Sequence, residues 1–183
     1  MNSQHNGTIK IGGISISDID FEYYYSLISC IDKNDRFLNV SIKDNLNIVN
    51  DDFEQIVHIC KKLDIHDEIS QLKNGYDTVL NGPEDKLKPN TKILLNIARI
   101  LLKNTRILIF DEILCSLNNE NRKIVLNILN HIKENHTIVI IDRKQDVLES
   151  ADHIVLINDG QVVETGTNEE LRHNKLYNTI VEN

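Results

Sequence analysis

Long apolar runs are absent from this sequence, and no stretch approaches the roughly 20 residues that a transmembrane helix needs. Basic residues are also scarce: 20 lysines and arginines stand against 28 aspartates and glutamates, a formal net charge of -8. Such an acidic surplus disfavours binding to nucleic acid and direct adsorption to an anionic lipid surface, because both need a positive patch. The sequence therefore predicts no nucleic-acid partner and no direct membrane span. Any membrane connection is expected to come through a partner or a segment outside the chain.

Cysteine is rare, and its three copies, Cys30, Cys60 and Cys115, lack the CxxC spacing of metal and redox sites. This odd, scattered set predicts reduced cytosolic thiols rather than a disulfide framework. We expect the three side chains to be small buried hydrophobic groups. The polar start of the chain, residues 1–6, predicts no signal peptide.

The first half of the chain contains short strand patterns followed by helical ones. Alternating residues around Gly12-Gly13 predict a small β-hairpin, and Ser26–Ile31 predicts another short strand. A helical pattern then runs from Ile42 to about Leu80, with Asp51–Glu54 as an expected capping box.

The second half alternates helices and strands. A strongly apolar helix is predicted at Thr91–Leu102, after a break bracketed by the only two prolines, Pro83 and Pro89. Later strands and helices are predicted at Arg106–Phe110, 119–134, Thr137–Ile141, 145–150, His153–Ile157 and 161–164, and a last helix is capped by Thr167 with Glu170. Apolar strands separated by helices predict an α/β fold with a parallel sheet covered by helices on both faces.

The pair Asp111-Glu112, which ends an apolar strand, is the strongest chemical signal in the sequence. Ligands of open α/β sheets bind at the C-terminal edge of the strands. In P-loop ATPases an aspartate in this position holds Mg²⁺, and a glutamate polarises the attacking water. The alternative is that the two acidic residues merely cap the next helix.

Further segments accompany this pair in a fixed order: Gly75-Tyr76-Asp77-Thr78, Ile97–Leu102, Ser116-Leu117-Asn118, Ala151–Leu156 and Asp159–Thr167. In this order and spacing, nearly the whole chain resembles the ATP-binding domain of ABC transporters, specifically the exporter type. The resemblance implies an incomplete P-loop NTPase sheet, a helical subdomain and a small N-terminal hairpin within a single truncated domain, 1–183. It divides the chain into a hairpin and Q-loop-like region (1–40), a helical subdomain (41–90) and the Walker B half of the core (91–183).

Several functional positions depart from the family pattern. No Gly-x-x-x-x-Gly-Lys-Ser/Thr loop is present, although its amides and lysine supply most of the grip on the β- and γ-phosphates. The family's Q-loop glutamine falls on Lys33, its dimer-communicating aspartate on Asn118, and its γ-phosphate-sensing histidine on Arg143. The Leu-Ser-Gly-Gly-Gln signature falls on Leu87-Lys88-Pro89-Asn90-Thr91, where the proline removes an amide and the lysine adds bulk and charge.

The resemblance implies ATP and Mg²⁺ as cofactors, which these departures would leave weakly bound or unbound. Asp111 would be the magnesium ligand, if there is one, and Glu112 a vestigial catalytic residue. The implied partners are a transmembrane subunit or domain and a second ATP-binding domain, which would place the chain in the cytoplasm at the inner face of the membrane.

Three functions are weighed for the chain. One is a degenerate exporter domain, inactive alone, from a truncated, split or damaged gene. Another is a non-catalytic module that pairs with a competent ATP-binding domain. An independent ATPase would require Lys33 and Arg143 to contact phosphates in place of the lost groups.

The resemblance also has a consequence for stability. In the family, the phosphate-loop strand lies between the strands that match Thr137–Ile141 and His153–Ile157. Without it, an unpaired slot would separate two apolar strands, and each unpaired buried backbone group costs about 1–3 kcal/mol. We expect the isolated chain to be marginally stable, rearranged or completed by another polypeptide.

Overall fold

The computed structural model describes residues 6–34 and 36–181, so the signal-peptide prediction falls largely on residues 1–5, outside the described residues. The described strands are β1 (Lys10–Ile11), β2 (Ile14–Ser15), β3 (Ile28–Asp32), β4 (Ile107–Asp111), β5 (Thr137–Ile141), β6 (Ile154–Asn158) and β7 (Gln161–Gly166). The described α-helices are α1 (Phe21–Leu27), α2 (Ile42–Asn47), α3 (Phe53–Lys62), α4 (His66–Ser70), α5 (Pro89–Lys103), α6 (Asn119–Ile132), α7 (Gln145–Ser150), α8 (Asn168–Leu171) and α9 (Lys175–Ile180). None of these helices is both long and apolar enough to cross a membrane.

The centre of the fold is a parallel sheet with the strand order β3-β4-β5. Its register aligns Ile28 with Ile107 and Ile107 with Thr137, so the three strands run side by side without stagger. Two antiparallel pairs, β1-β2 and β6-β7, complete the described strands. The predicted α/β class, the parallel sheet and the N-terminal hairpin are confirmed.

One face of the parallel sheet is buried in the main hydrophobic core. Ile31, Leu108 and Phe110 lie on this face and are at most 1% exposed. They share a cluster with apolar residues of the helices, including Ile42, Leu46, Ile56, Leu95, Val125 and Leu129. A second, smaller cluster joins the β6-β7 hairpin to α8 and α9 through Ile154, Leu156, Leu171 and Tyr177.

The opposite face of the sheet is open, which corrects the expectation of helices on both faces. Val139 and Ile141 of β5 are 43% and 50% exposed. Cys30 of β3 is also exposed and Cys115 is only half-buried, so the prediction that all three cysteines are buried holds for Cys60 alone. Continuous apolar strands are typical of sheets buried on both sides. The strand pattern alone does not reveal whether the element that would cover the second face is present.

The pairing of the described strands agrees with the expectation of an unpaired slot between β5 and β6. The free edge of β5 and the free edge of β6 have no strand partner within residues 6–34 and 36–181. Val155 and Ile157 of β6 are 49% and 58% exposed, like their counterparts on β5. Two apolar strands therefore present unpaired edges and exposed side chains.

Two predicted helix boundaries need correction. Ser26 and Leu27 form the last turn of α1 rather than part of a strand, and Ser26 Oγ donates back to Tyr23 O of the same helix at 2.7 Å. The cap of α3 is Asp52 rather than Asp51, since its Oδ1 accepts from two amides of the first turn.

The predicted cap of the C-terminal region is confirmed. Thr167 and Glu170 form a reciprocal capping box on α8, with 2.8 Å between the Thr167 amide and Glu170 Oε2. This helix is not the last, because α9 follows it.

We expect the unpaired edge of β5 to make the isolated chain self-associate, because exposed apolar edges act as templates for further strands. Ile141→Lys should reduce concentration-dependent association in sedimentation velocity, since a lysine on an edge opposes strand pairing. Ile48→Lys is the matched control: Ile48 is 57% exposed but follows a helix. A monomeric wild-type chain with one sharp, concentration-independent unfolding transition would contradict the expectation.

Candidate functional site

The carboxyl edge of the parallel sheet gathers four of the residues singled out by the sequence. Asp111 ends β4 opposite Asp32, the last residue of β3. Asp142 follows β5, and its Oδ1 accepts from the Arg143 amide at 2.7 Å, which turns the chain away from the strand. The loops that leave these strand ends carry the other three residues, Lys33, Glu112 and Arg143.

Glu112 has a left-handed backbone conformation, with a φ of 51°. This conformation costs a residue with a Cβ atom roughly 1–2 kcal/mol. Two hydrogen bonds hold it in place: the Glu112 amide donates to Ile141 O at 3.0 Å, and Cys115 Sγ donates to Glu112 O at 3.0 Å. From this bend after β4, the Glu112 side chain reaches the residue that follows the neighbouring strand, Lys33.

Lys33 and Glu112 form an ion pair across this edge, with 2.9 Å between Lys33 Nζ and Glu112 Oε2. The hydrogen bond and charge of Lys33, with the charge of Arg143, lower the pKa of Glu112 below its ordinary value. In turn, the hydrogen bond and charge of Glu112 raise the pKa of Lys33. The side chains are 61% and 55% exposed, so the pair adds little to stability. Its chemical effect is that Glu112 stays ionised but becomes a weaker base.

At this edge, Asp111 is the residue that would hold a magnesium ion, together with water and substrate phosphates. Magnesium takes oxygen ligands in near-octahedral geometry. Asp111 offers one carboxylate, but an oxygen of the neighbouring Glu112 already binds the ammonium group of Lys33. In the part of the chain that the structure describes, no group of three or more His, Cys, Asp or Glu side chains is placed to hold a metal ion.

The segment that matches the signature, 87–91, lies at the start of α5. Lys88 precedes the helix, and its side chain makes no capping hydrogen bond, since an ammonium group has no acceptor. Pro89 is the first helical residue, where its missing N–H is tolerated. The acceptor comes instead from α4: Glu68 Oε1 accepts from the Lys88 amide at 2.9 Å, and Glu68 Oε2 accepts from Thr91 Oγ1 at 2.9 Å.

Asn118 and Asn90 are brought together by the fold. The Asn118 amide donates to Asn90 Oδ1 at 3.2 Å, and the Asn118 side chain caps α6 by accepting from the Asn121 amide at 2.8 Å. The predicted site residues thus form one group around Lys33 and Glu112 and another at the start of α5.

Comparisons with known proteins place this geometry in a family. No protein-family model matches the chain. It is 30% identical over 181 residues to ABC transporter B family member 1 of Dictyostelium discoideum, covering 97% of this chain and 20% of that protein. It is 32% identical over 172 residues to the exotoxin translocation ATP-binding protein PaxB of Pasteurella aerogenes, covering 93% of this chain and 24% of that protein.

A solved structure of a bacterial Atm1-family ABC exporter with ATP bound superposes with a TM-score of 0.86 and 26% identity. The superposition covers 95% of this chain and 31% of the exporter. The chain belongs to the ATP-binding domains of ABC exporters. It spans about a quarter or less of the two curated relatives named above, so their transport activity describes much longer proteins.

Three charged residues of this ABC-type domain make structural contacts that were not predicted from the sequence. Glu68 binds the start of α5, and Asp85 organises the loop before that helix. Arg122 is 4% exposed and makes two hydrogen bonds of 2.8 and 2.9 Å to Asp146, which join α6 to α7. The contacts of Glu68 and Arg122 link different elements, so no local sequence pattern signals them. Asp85 binds amides of its own loop, a contact that the sequence analysis did not consider.

Asp85 is a well-enclosed carboxylate in the loop before α5, with a side chain 2% exposed. It accepts from the Asn81 amide at 2.8 Å and the Leu87 amide at 3.2 Å, and it pairs with Lys92 Nζ at 2.7 Å. Burial raises the pKa of Asp85, but these donors outweigh it and the pKa lies below its ordinary value.

Asp85→Asn should lower the free energy of unfolding at pH 7 by about 1–3 kcal/mol, because two loop amides and Lys92 lose a charged acceptor. The folded-state pKa lies below the unfolded value of about 3.9, so this stability is present above about pH 4 and is lost as the pH falls through the folded pKa. Urea unfolding at pH 7 and pH 3 should show the gap between wild type and variant shrinking in acid.

Glu84→Gln is the control for that experiment, since Glu84 pairs with Lys73 at 3.1 Å with side chains 46% and 72% exposed. Such exposed pairs contribute about 0–1 kcal/mol. Equal losses in the two variants would show that the Asp85 contacts do not stabilise the loop.

Lys33→Gln should move the pKa of Glu112 back up toward its ordinary value, because the ammonium donor is removed. Carbon-detected NMR titration of the Glu112 carboxyl measures this shift. Lys73→Gln, which removes the partner of Glu84, should leave the Glu112 titration unchanged. An unaltered Glu112 pKa in Lys33→Gln would mean that the ion pair does not persist in solution.

Proposed function

We propose that this chain serves an ABC-type export system as a domain that does not itself hydrolyse ATP. The observation that carries the proposal is the ion pair between Lys33 and Glu112 at 2.9 Å. In P-loop ATPases, the group in the Glu112 position orients the attacking water. Here a carboxylate oxygen of Glu112 instead accepts a hydrogen bond from a cation of the same chain.

The start of α5 supports the same proposal. A helix N-terminus can grip a phosphate through free amides and its positive end. Pro89 supplies no amide, and the Lys88 amide and the Thr91 hydroxyl are both engaged by Glu68. Lys33, which could contact a phosphate in place of the lost groups, is already bound to Glu112.

We propose that a transmembrane partner docks at the cavity between the loop after β3 and helix α5. This cavity has a volume of about 660 Å³. Its wall combines apolar side chains with polar and charged ones of both signs: Asp32, Lys33, Arg36, Phe37, Asn39, Asn81, Lys92, Ile93, Asn96 and Ile113. Lys33 and Lys92 are already paired with Glu112 and Asp85. Such a mixed wall suits the end of an amphipathic helix, which offers both apolar and polar side chains.

A second candidate is pairing with a competent ATP-binding domain. The exposure of Lys33 and Glu112, 61% and 55%, favours this role, because it leaves the carboxyl edge accessible to another domain. In that arrangement the partner would hydrolyse ATP, and this chain would contribute contacts.

Calorimetry with ATP and Mg²⁺ tests the proposal. We expect no binding tighter than about 1 mM, which corresponds to roughly -4 kcal/mol, and no release of phosphate. Asp111→Ala should therefore leave the titration unchanged, as should the control Asp32→Asn on the neighbouring strand. ATP binding that is lost in Asp111→Ala but kept in Asp32→Asn, or turnover that is lost in Glu112→Gln, would refute the proposal.

A further inference from the structure

Helix α1 holds an exposed concentration of aromatic side chains. The chain has only four phenylalanines and five tyrosines, and four of these residues lie within Phe21–Tyr25. Phe21, Tyr23 and Tyr25 are 69%, 60% and 42% exposed, although burying such rings is normally favourable. We call these three side chains the α1 aromatic surface. Exposed aromatic residues grouped in this way are typical of sites that bind another protein.

The rings are ordered against one another. Phe21 and Tyr25 lie one turn apart on the helix, with ring centroids 4.5 Å apart and ring planes at 61°. Tyr25 also packs edge-on against Tyr24, with centroids 5.3 Å apart and planes at 86°. Such edge-to-face pairs fix the orientation of the rings. A partner therefore meets a preformed surface, which lowers the entropy cost of ordering these side chains on binding.

The backbone of α1 is anchored without help from the exposed rings. Lys103 Nζ of α5 donates to Tyr25 O at 3.2 Å and to Ile28 O at 3.3 Å, at the end of the helix where carbonyl groups lack partners. Since α1 leads directly into β3, it lies at the amino end of that strand. Lys33 and Glu112 lie at the opposite, carboxyl edge of the sheet, so the α1 aromatic surface is separate from the candidate nucleotide site.

The charge beside the α1 aromatic surface is negative. Residues 11–32 contain no lysine, arginine or histidine, whereas Asp18, Asp20 and Glu22 accompany the rings and are exposed. Within residues 6–34 and 36–181, no cationic side chain pairs with any of these three carboxylates. Lys103 reaches the helix but binds backbone carbonyl oxygens at its far end. The surface thus combines exposed rings with carboxylates that have no cationic partner in the described part of the chain.

We propose that the α1 aromatic surface binds a basic, arginine-containing segment of a partner protein. A guanidinium group stacks on aromatic rings and also pairs with carboxylates, so one side chain satisfies both features of the surface. Glu22 follows Phe21 on the exposed side of the helix, which places a carboxylate on the residue next to the ring. Charge complementarity of this kind selects the partner and speeds the encounter.

Other occupants suit this surface less well. A second copy of the chain would bring Asp18, Asp20 and Glu22 against the same carboxylates, and like charges repel across an interface. The same groups oppose adsorption to an anionic lipid surface. Three rings bury about 150–250 Å² each at most, an area that suits a short segment and a transient contact.

Two matched synthetic peptides test the proposal in the full chain. One alternates leucine and arginine, and the other has citrulline in place of each arginine, which keeps the shape of the side chain but removes its charge. The ring NMR signals of Phe21, Tyr23 and Tyr25 report binding. The arginine peptide should shift them saturably, with a Kd about threefold to tenfold lower than that of the citrulline peptide.

Variants at the surface separate the two contributions. Glu22→Gln should weaken binding of the arginine peptide about twofold to fivefold and leave the citrulline peptide unaffected, because only the ion pair is lost. Phe21→Leu keeps an apolar side chain but removes a ring, so it should also weaken the arginine peptide, as followed through Tyr23 and Tyr25. The controls are Glu120→Gln, an exposed glutamate of α6, and Ile48→Ala, an apolar side chain 57% exposed. Both should behave like wild type.

Several results would overturn the proposal. Equal affinity of wild type for the two peptides is one. Equal losses in Glu22→Gln and Glu120→Gln are another, because they would mean that the net charge of the chain alone attracts the peptide. Ring signals that shift with chain concentration would assign the surface to a second copy. Shifts with phosphatidylcholine vesicles, but with neither peptide, would assign it to a lipid surface. If Phe21→Leu does not fold, the comparison of Glu22→Gln with Glu120→Gln decides.

Discussion

The parallel register of β3, β4 and β5 is the constraint on which the rest of the structure depends. It brings Lys33 within 2.9 Å of Glu112, although 79 residues separate them. A shift of β4 by one residue would turn Leu108 and Phe110 from the core to the open face of the sheet. The burial of these two side chains therefore fixes the strand that carries Asp111, and with it the geometry of the charged edge.

The sequence predicted secondary structure well where the apolar pattern is continuous. Strand β5 occurs at the predicted residues, Thr137–Ile141, and α7 at 145–150. The pattern did not separate Ser26 and Leu27 from the strand that follows, because a short apolar run suits a strand and a helix equally well. It also did not reveal the exposure of Val139, which depends on what lies beyond the strand.

In the candidate site, the positions of the residues could be predicted from the sequence, but their partners could not. The positions of Lys33, Asp111, Glu112 and Arg143 follow from matched segments, since each stands at the end of a recognisable strand. Their partners do not follow, because they depend on how distant elements meet. Glu68 lies 20 residues before Lys88 and contacts it only once α4 and α5 are assembled. Such hydrogen bonds decide whether a familiar position keeps its chemical role.

Helix α7 packs against both hydrophobic clusters and so connects them. Val147 is buried in the main core, whereas the next residue, Leu148, packs against the cluster that contains Leu171. Consecutive helical residues project about 100° apart, so the neighbouring side chains of Val147 and Leu148 reach different clusters. The ion pair between Arg122 and Asp146 anchors the first of these turns to α6. If the β6-β7 hairpin rotates relative to the parallel sheet, either α7 rotates with it or the ion pair between Arg122 and Asp146 breaks.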